Sequence, residues 1–338
     1  MERTISALTR GTNLSRYIQA IALTNGFIRA AAEYAERWKD SPAVALTLRA
    51  QVSGMSTTGS GNPLVHYGIA AELIELVRNV SILGKLEPRM RRAPFNTDVS
   101  RETTTGASSS WVAESFAIPA ASLNYDSIRL AAYKAATIVV ITKELMKLSS
   151  PSAELVVRSS LVKGIAAYLD GQFLNASVAR VATVNPAAIT NGAPTVTSTG
   201  SIIASVEADL NSMLALLVSW ENPVWIMRPA TAARLATKLG APGMGPNILG
   251  FPFIASANSP AQITLVDAGE ILYADDGDAE VDFGGEASIV MDDNPQASPQ
   301  TTSLVSMWQR DMIAIRGIRT ISWIRGHDAA VVSMQVSY

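Results

Sequence analysis

The sequence predicts an α+β protein of more than one subdomain, and three observations carry that prediction. A proline-free stretch at 152–176 repeats apolar residues at helical spacing, while 303–325 and 329–336 alternate with the period of strands. The 338 residues, 48% hydrophobic, are enough to bury a large core in two or more parts.

The helix at 152–176 organises the rest. Ala136, Ile138 and Val140 alternate as a strand that runs into a short helical start, Thr142 to Leu148. Ser149-Ser150-Pro151 then breaks the chain. Ser150 suits an N-cap, and Pro151 suits the first helical position, where its missing N–H is orphaned anyway. Leu155, Val162, Ile165, Leu169 and Phe173 fall on one stripe. At a helical rise of about 1.5 Å per residue the helix would run roughly 39 Å, a spine for other elements to pack on.

In chain order, 13–39 reads as one amphipathic helix, with Leu14, Ile18, Ile21, Phe27, Ala31, Tyr34 and Trp38 among charged residues. A second apolar stretch covers 42–52, a Gly/Ser/Thr-rich linker 53–63, and a short helix about 67–78. Residues 91–133 differ in kind. Strand-like pieces (Trp111–Glu114, Tyr125–Tyr133) flank a polar tip, Glu102–Ser110, and the apolar content is too sparse for a core. A two-stranded ribbon alone is marginal in water, so this arm implies a partner surface.

After the spine, 177–200 reads as strand and loop, 201–220 as helix, and Val224–Met227 as a buried strand. Pro229 opens a helix over Ala230–Leu239, which Gly240 stops ahead of a loop at 241–246. Strands are expected at 251–255, 263–266, 271–274, 279–283 and 287–291, and a linker at 294–302. No internal repeat is visible.

Composition excludes much chemistry. There is no cysteine, hence no disulfide, thiolate metal site or cysteine nucleophile, and only His66 and His327 could supply imidazole. Gly84-Lys85 lacks the rest of a phosphate-binding loop, Gly243 and Gly245 are flanked by prolines, and no G-x-S-x-G elbow occurs. No catalytic, cofactor-binding or metal residue is assigned. The cluster Asp275, Asp276, Asp278, Glu280, Asp282 suits either a hard cation or, with Gly277 at its middle, a solvated hairpin. His327, between Gly326 and Asp328, reads as a turn residue. No signal peptide opens the chain and no uncharged apolar run reaches about 18 residues, so a soluble protein with no membrane partner is expected. Residues 1–92 carry 12 Lys+Arg against 7 Asp+Glu, whereas 180–305 carry 4 against 13. Two different surroundings, or ordinary solvated faces, fit that asymmetry. Arg89, Arg91 and Arg92 could meet a phosphate backbone, an acidic neighbour or water.

Four pieces, in order, resemble the major capsid proteins of tailed bacteriophages, with the HK-ninety-seven-type capsid fold. They are IVVITKELM with the spine helix (138–176); VWIMRPATAARLATKL with ILGFPFIASANSP (to 260); ITLVDAGEILYADDGDAEV; and LVSMWQRDMIAIRGIRTISWIRGHDAAVV. The resemblance covers about 67–338. It implies an N-terminal arm at 1–78 and an extended two-stranded E-loop at 91–133 lying over a neighbouring subunit. It further implies a peripheral domain (79–90, 134–180, 303–338, spine about 151–176) and an axial domain at 181–302. Arg101, Glu102, Gly106, Trp111 and Glu114 are then the candidate subunit-contact residues of the E-loop, and Arg89, Arg91 and Arg92 a candidate interior basic patch.

The implied function is self-assembly, as pentamers and hexamers, into an icosahedral head shell around double-stranded DNA, with no reaction of its own. Implied partners are the chain itself, a portal protein, a separate scaffolding protein, a cement or decoration protein and non-specifically bound DNA. The location is the capsid of a virion assembled in the host cytoplasm, and the N-terminus is expected to be retained. Some relatives crosslink an E-loop lysine to an asparagine. This chain has no lysine within 91–133, so no such crosslink is expected from the arm. The alternatives are an encapsulin-type compartment enclosing a cargo enzyme, a soluble α+β enzyme, and a surface or tail structural protein.

Overall fold

The computed structural model describes residues 12–24, 27–52, 74–102, 110–114, 117, 125–144, 151–217, 219–239, 247–291 and 304–336. The N-terminal amphipathic stretch forms two helices instead of one, α1 (Thr12–Leu23) and α2 (Ile28–Ala35). After α1 the Thr24 hydroxyl donates back to the Ala20 carbonyl at 2.8 Å, sharing that acceptor with its own backbone N–H. Helix α3 (Pro42–Val52) starts on its proline. Residues 74–80 are helical, while the expected linker at 53–63 lies outside the described residues. Ser81 caps α4 (Ile82–Leu86) by accepting from the Gly84 N–H at 2.9 Å.

Strand β1 (Arg91–Arg92) precedes the ribbon strands β2 (Asp98–Glu102) and β3 (Tyr125–Arg129), then β4 (Tyr133–Thr142). The expected strand at Trp111–Glu114 is not one. Residues 110–113 are irregular and Glu114 sits in a turn. The spine is α5 (Pro151–Leu174), with its first residue at the proline; its cap candidate Ser150 lies outside the described residues. Strand β5 (Thr195–Thr197), helix α6 (Ile203–Leu216), strand β6 (Pro223–Met227) and helix α7 (Pro229–Lys238) follow. Gly240 and the loop expected at 241–246 lie outside the described residues.

Then come β7 (Asn247–Ile248), β8 (Phe251–Ala255), β9 (Gln262–Asp267), β10 (Ile271–Gly284) and β11 (Ser288–Val290). Strands β12 (Leu304–Ser306), β13 (Met312–Arg325) and β14 (Val331–Gln335) finish the chain. One expectation is overturned here: 271–284 is a single strand, and Gly277 makes no hairpin. Gly277 takes a φ of +77°, which glycine enters without a Cβ penalty, and the strand continues through it.

The chain divides into two compact units. The first comprises 1–80, 134–166 and 276–320, the second 81–133, 167–275 and 321–338, so α5, β4, β10 and β13 run through both. In the first, α1, α2 and α3 bury Tyr17, Ile18, Ile21, Ala31, Ala35, Val44 and Leu48. Arg16 joins α1 to the α2–α3 turn, with Nη1 2.7 Å from Asp40 Oδ1 and donating to Ser41 Oγ at 2.6 Å. That bond to Arg16 holds the exposed Asp40 carboxyl below its ordinary range. The long strands of this unit run in the order β10–β13–β4, and β11 pairs antiparallel with β12 (Ile289↔Val305) over a small core of Val305, Met307 and Ala314.

The second unit holds the larger core. Its six-stranded sheet runs β5–β14–β9–β6–β8–β7. Every residue of β6 and β9 is buried, as expected of central strands covered on both faces. Trp225 and Leu265 pair across β6 and β9 and join Val206, Leu210 and Met213 of α6 and Leu235 of α7 in one cluster. Between β7 and β8 a two-residue turn places Leu249 (φ +50°) and Gly250 (φ +84°) in the left-handed region.

Candidate functional site

The ribbon β2–β3 is a sheet of its own, in the register Asp98↔Arg129, Val99↔Ile128, Ser100↔Ser127, Arg101↔Asp126, Glu102↔Tyr125. Its apolar pair Val99 and Ile128 is only half-buried, and Asp98, Ser100, Ser127 and Arg129 are exposed. Of the candidate contact residues, Arg101 and Glu102 end β2 and Gly106 lies outside the described residues. Trp111 is fully exposed, with Val112 and Glu114 also at the surface. Large aromatic groups are enriched at the centre of protein interfaces.

At the base of the ribbon, in the second unit, lies a cavity of about 240 Å³. Leu130, Tyr133, Ile189 and Trp323 contribute its apolar walls, and Arg129 and Arg180 its cationic ones. Arg180 Nε donates to Tyr133 Oη at 3.1 Å, and the Trp323 indole N–H donates to the Ala187 carbonyl at 2.9 Å. Arg325, also on the wall, is engaged by the Asn191 carbonyl at 2.8 Å and by Asp328. The sequence reading missed this socket because its walls come from residues 128–133, 180–189 and 322–325, three segments with no shared motif.

The basic triplet is divided. Arg92 Nη2 lies 2.6 Å from Oε1 of the buried Glu87, while Arg89 and Arg91 are exposed and have no ion-pair partner among the described residues. Strand β1 itself adds in parallel to β10 (Arg91↔Leu272).

A second feature without a sequence signal is Asp170, a buried carboxylate on the core-facing stripe of α5. Oδ1 accepts from the N–H groups of Ile82 (2.8 Å) and Leu83 (3.3 Å), two donors left open at the start of α4. Oδ2 accepts from Asn258 Nδ2 at 2.8 Å. Burial raises its pKa above the ordinary value, although the Asn258 amide, the two backbone donors and Lys85 pull the other way. Nearby, the Phe173 and Trp323 rings meet edge-on, centroids 5.3 Å apart. The end of the spine is thereby tied through Asp170 to the segment that leads into the ribbon, and through Phe173 to Trp323 of β13.

No helix among the described residues is long and apolar enough to cross a membrane, and no cluster of metal-ligating side chains is found among them.

Comparison with known proteins gives these surfaces a context. The phage capsid family matches residues 61–321. The chain is 32% identical over 314 residues to a capsid polyprotein of Pseudomonas phage PAJU2, covering 85% of this chain and 47% of the polyprotein. It is 22% identical over 330 residues to the major capsid protein of Klebsiella oxytoca phage phiKO2, covering 90% of this chain and 74% of that one. The chain thus spans about half of the first relative's length. Among solved structures, that of Gordonia phage Cozz aligns at a TM-score of 0.55 with 14% identity, covering 77% of this chain and 87% of its own. That of Mycobacterium phage Adephagia aligns at 0.52 with 16% identity, covering 86% and 98%. A native GTA particle capsid aligns at 0.52 with 14% identity, covering 75% and 90%. The long spine helix, the isolated ribbon and the strand-rich second unit together form the fold of phage major capsid proteins. On the family match and the Pseudomonas phage relative, the chain belongs to the phage capsid family.

Proposed function

We propose that this chain is the major shell subunit of a tailed-phage head, self-assembling as pentamers and hexamers around double-stranded DNA. The observation that carries the reading is the family match over 61–321, joined to a ribbon whose described side chains are at most half-buried. The relatives are capsid proteins of phages, which favours this reading over an encapsulin-type compartment. The subunit acts by packing, not by chemistry. In the division that suits this role, 1–78 is the N-terminal arm and 91–133 the E-loop. Residues 79–90, 134–180 and 303–338 form the peripheral domain, and 181–302 the axial domain.

Arg101, Glu102, Gly106, Trp111 and Glu114 are assigned to the contact with a neighbouring copy. Arg89 and Arg91 face the packaged DNA, where cations lower the cost of confined phosphate charge; Arg92 is held by Glu87. Portal, separate scaffolding and cement proteins complete the set of partners. With no lysine in 91–133, the arm holds its neighbour without a lysine crosslink.

The test is electron microscopy of the purified chain, alone and coexpressed with its neighbouring genes. Closed shells tens of nanometres across are expected; monomers or dimers only, in both preparations, would overturn the reading.

A further inference from the structure

Trp111 and the socket at the ribbon base are opposite in character and belong to the same chain. Residues 110–114 present a bare indole, the exposed Val112 and, three residues after Trp111, the Glu114 carboxylate. Glu114 has no hydrogen-bond or ion-pair partner among the described residues. The socket presents the reverse: apolar walls from Leu130, Tyr133, Ile189 and Trp323 and a cationic rim from Arg129 and Arg180. Among the described residues Arg180 bonds through its Nε alone, to the Tyr133 hydroxyl, and both terminal amino groups can take a carboxylate. Arg129 lies opposite Asp98 in the ladder but makes no ion pair with it.

At about 240 Å³ the cavity is smaller than sites for drug-sized ligands, roughly 300–1,000 Å³, and suits a single bulky side chain. In its own chain Trp111 is fully exposed, so it does not fill that cavity.

We infer that the socket receives Trp111 of a second copy of this chain, with Glu114 of that copy paired to Arg129 and Arg180. This rests on the shell function proposed above and specifies the contact within it. Knob and socket are different patches of one chain, so the contact is heterologous. Such contacts close into rings when the rotation between copies allows it, as pentamers and hexamers require. The indole supplies the desolvated anchor, and the carboxylate selects the register by charge.

The absence of cysteine makes the test direct. Chains carrying Ala113→Cys or Ala187→Cys, the latter on the socket wall, are coassembled and treated with a short bis-maleimide. Covalent dimers are expected from the mixture and from neither chain alone. In parallel, Trp111→Ala is expected to lower particle yield at least tenfold with an unchanged far-UV spectrum. Glu114→Arg should act in the same direction and be rescued by Arg129→Glu. Particles that form without the 113–187 link, with Trp111→Ala within twofold of wild type, overturn the socket while the shell reading stands. If the unaltered chain makes no particles under any condition, the shell reading falls, and the socket with it.

Discussion

The ribbon and the six-stranded sheet are built from the same kind of backbone ladder, yet they stand at opposite ends of self-sufficiency. Strands β6 and β9 are buried at every position, with helices α6 and α7 packed into the same cluster. The ribbon offers one half-buried apolar pair and a border of charge. Hydrogen bonding alone nets little in water; burial of apolar area supplies most of the stability. The sheet therefore carries its own stability, whereas the ribbon, on the function proposed above, is completed by a surface elsewhere.

That contrast breaks first in the core. Trp225, fully buried on β6, should lose about 3–5 kcal/mol on replacement by alanine, read by urea denaturation. An equally drastic change on the arm, Trp111→Ala, should leave stability within about 0.5 kcal/mol and affect assembly only. A comparable loss of stability in both variants would dissolve the distinction.

Asp170 sharpens it next. Asp170→Ala strands the Ile82 and Leu83 N–H groups and the Asn258 amide, and should cost about 2–3 kcal/mol. Asp170→Asn keeps an acceptor for the backbone donors and can meet a flipped Asn258, so a loss under about 1 kcal/mol is expected. The pair also sets a pH signature. Burial raises the folded-state pKa of Asp170, so the native state holds this proton to higher pH than the unfolded chain does. Its contribution is present below the unfolded value and lost as pH rises through the folded one. Denaturation midpoints of wild type should gain on those of Asp170→Asn as the pH falls from 7 towards 4. Equal slopes would contradict this account of the carboxylate.

The smallest effect is a gain. Leu249 holds a φ of +50° ahead of Gly250, a turn that favours Asn-Gly, so Leu249→Asn should stabilise by up to about 1 kcal/mol. A loss of stability would show that its side chain contributes packing worth more than the backbone strain.

What the sequence disclosed follows from where the physics is local. The spine was legible because a proline start and one apolar stripe are properties of consecutive residues, and α5 begins at Pro151 and buries Val162, Leu169 and Phe173. Gly277 misled because a glycine at positive φ serves a tight turn and a continuing strand equally well. The break after α1 falls where the sequence carries Asn25-Gly26, a turn dipeptide that the amphipathic pattern over 13–39 outweighed. Asp170 gave no warning because its partners stand 87 and 88 positions away, at Leu83, Ile82 and Asn258. The ribbon was legible in kind by its poverty of apolar residues, although its first strand is 98–102 and not 111–114; the socket was not legible at all, since a concave surface exists only once the chain has folded.

The most direct test is a cryo-electron-microscopy reconstruction of the assembled particle, resolved well enough to trace residues 91–133. The account predicts that the ribbon crosses onto an adjacent copy, with the indole of Trp111 buried against that copy's Arg129, Arg180 and Trp323. A ribbon folded back on its own subunit, or an indole still in solvent within a closed shell, would contradict it.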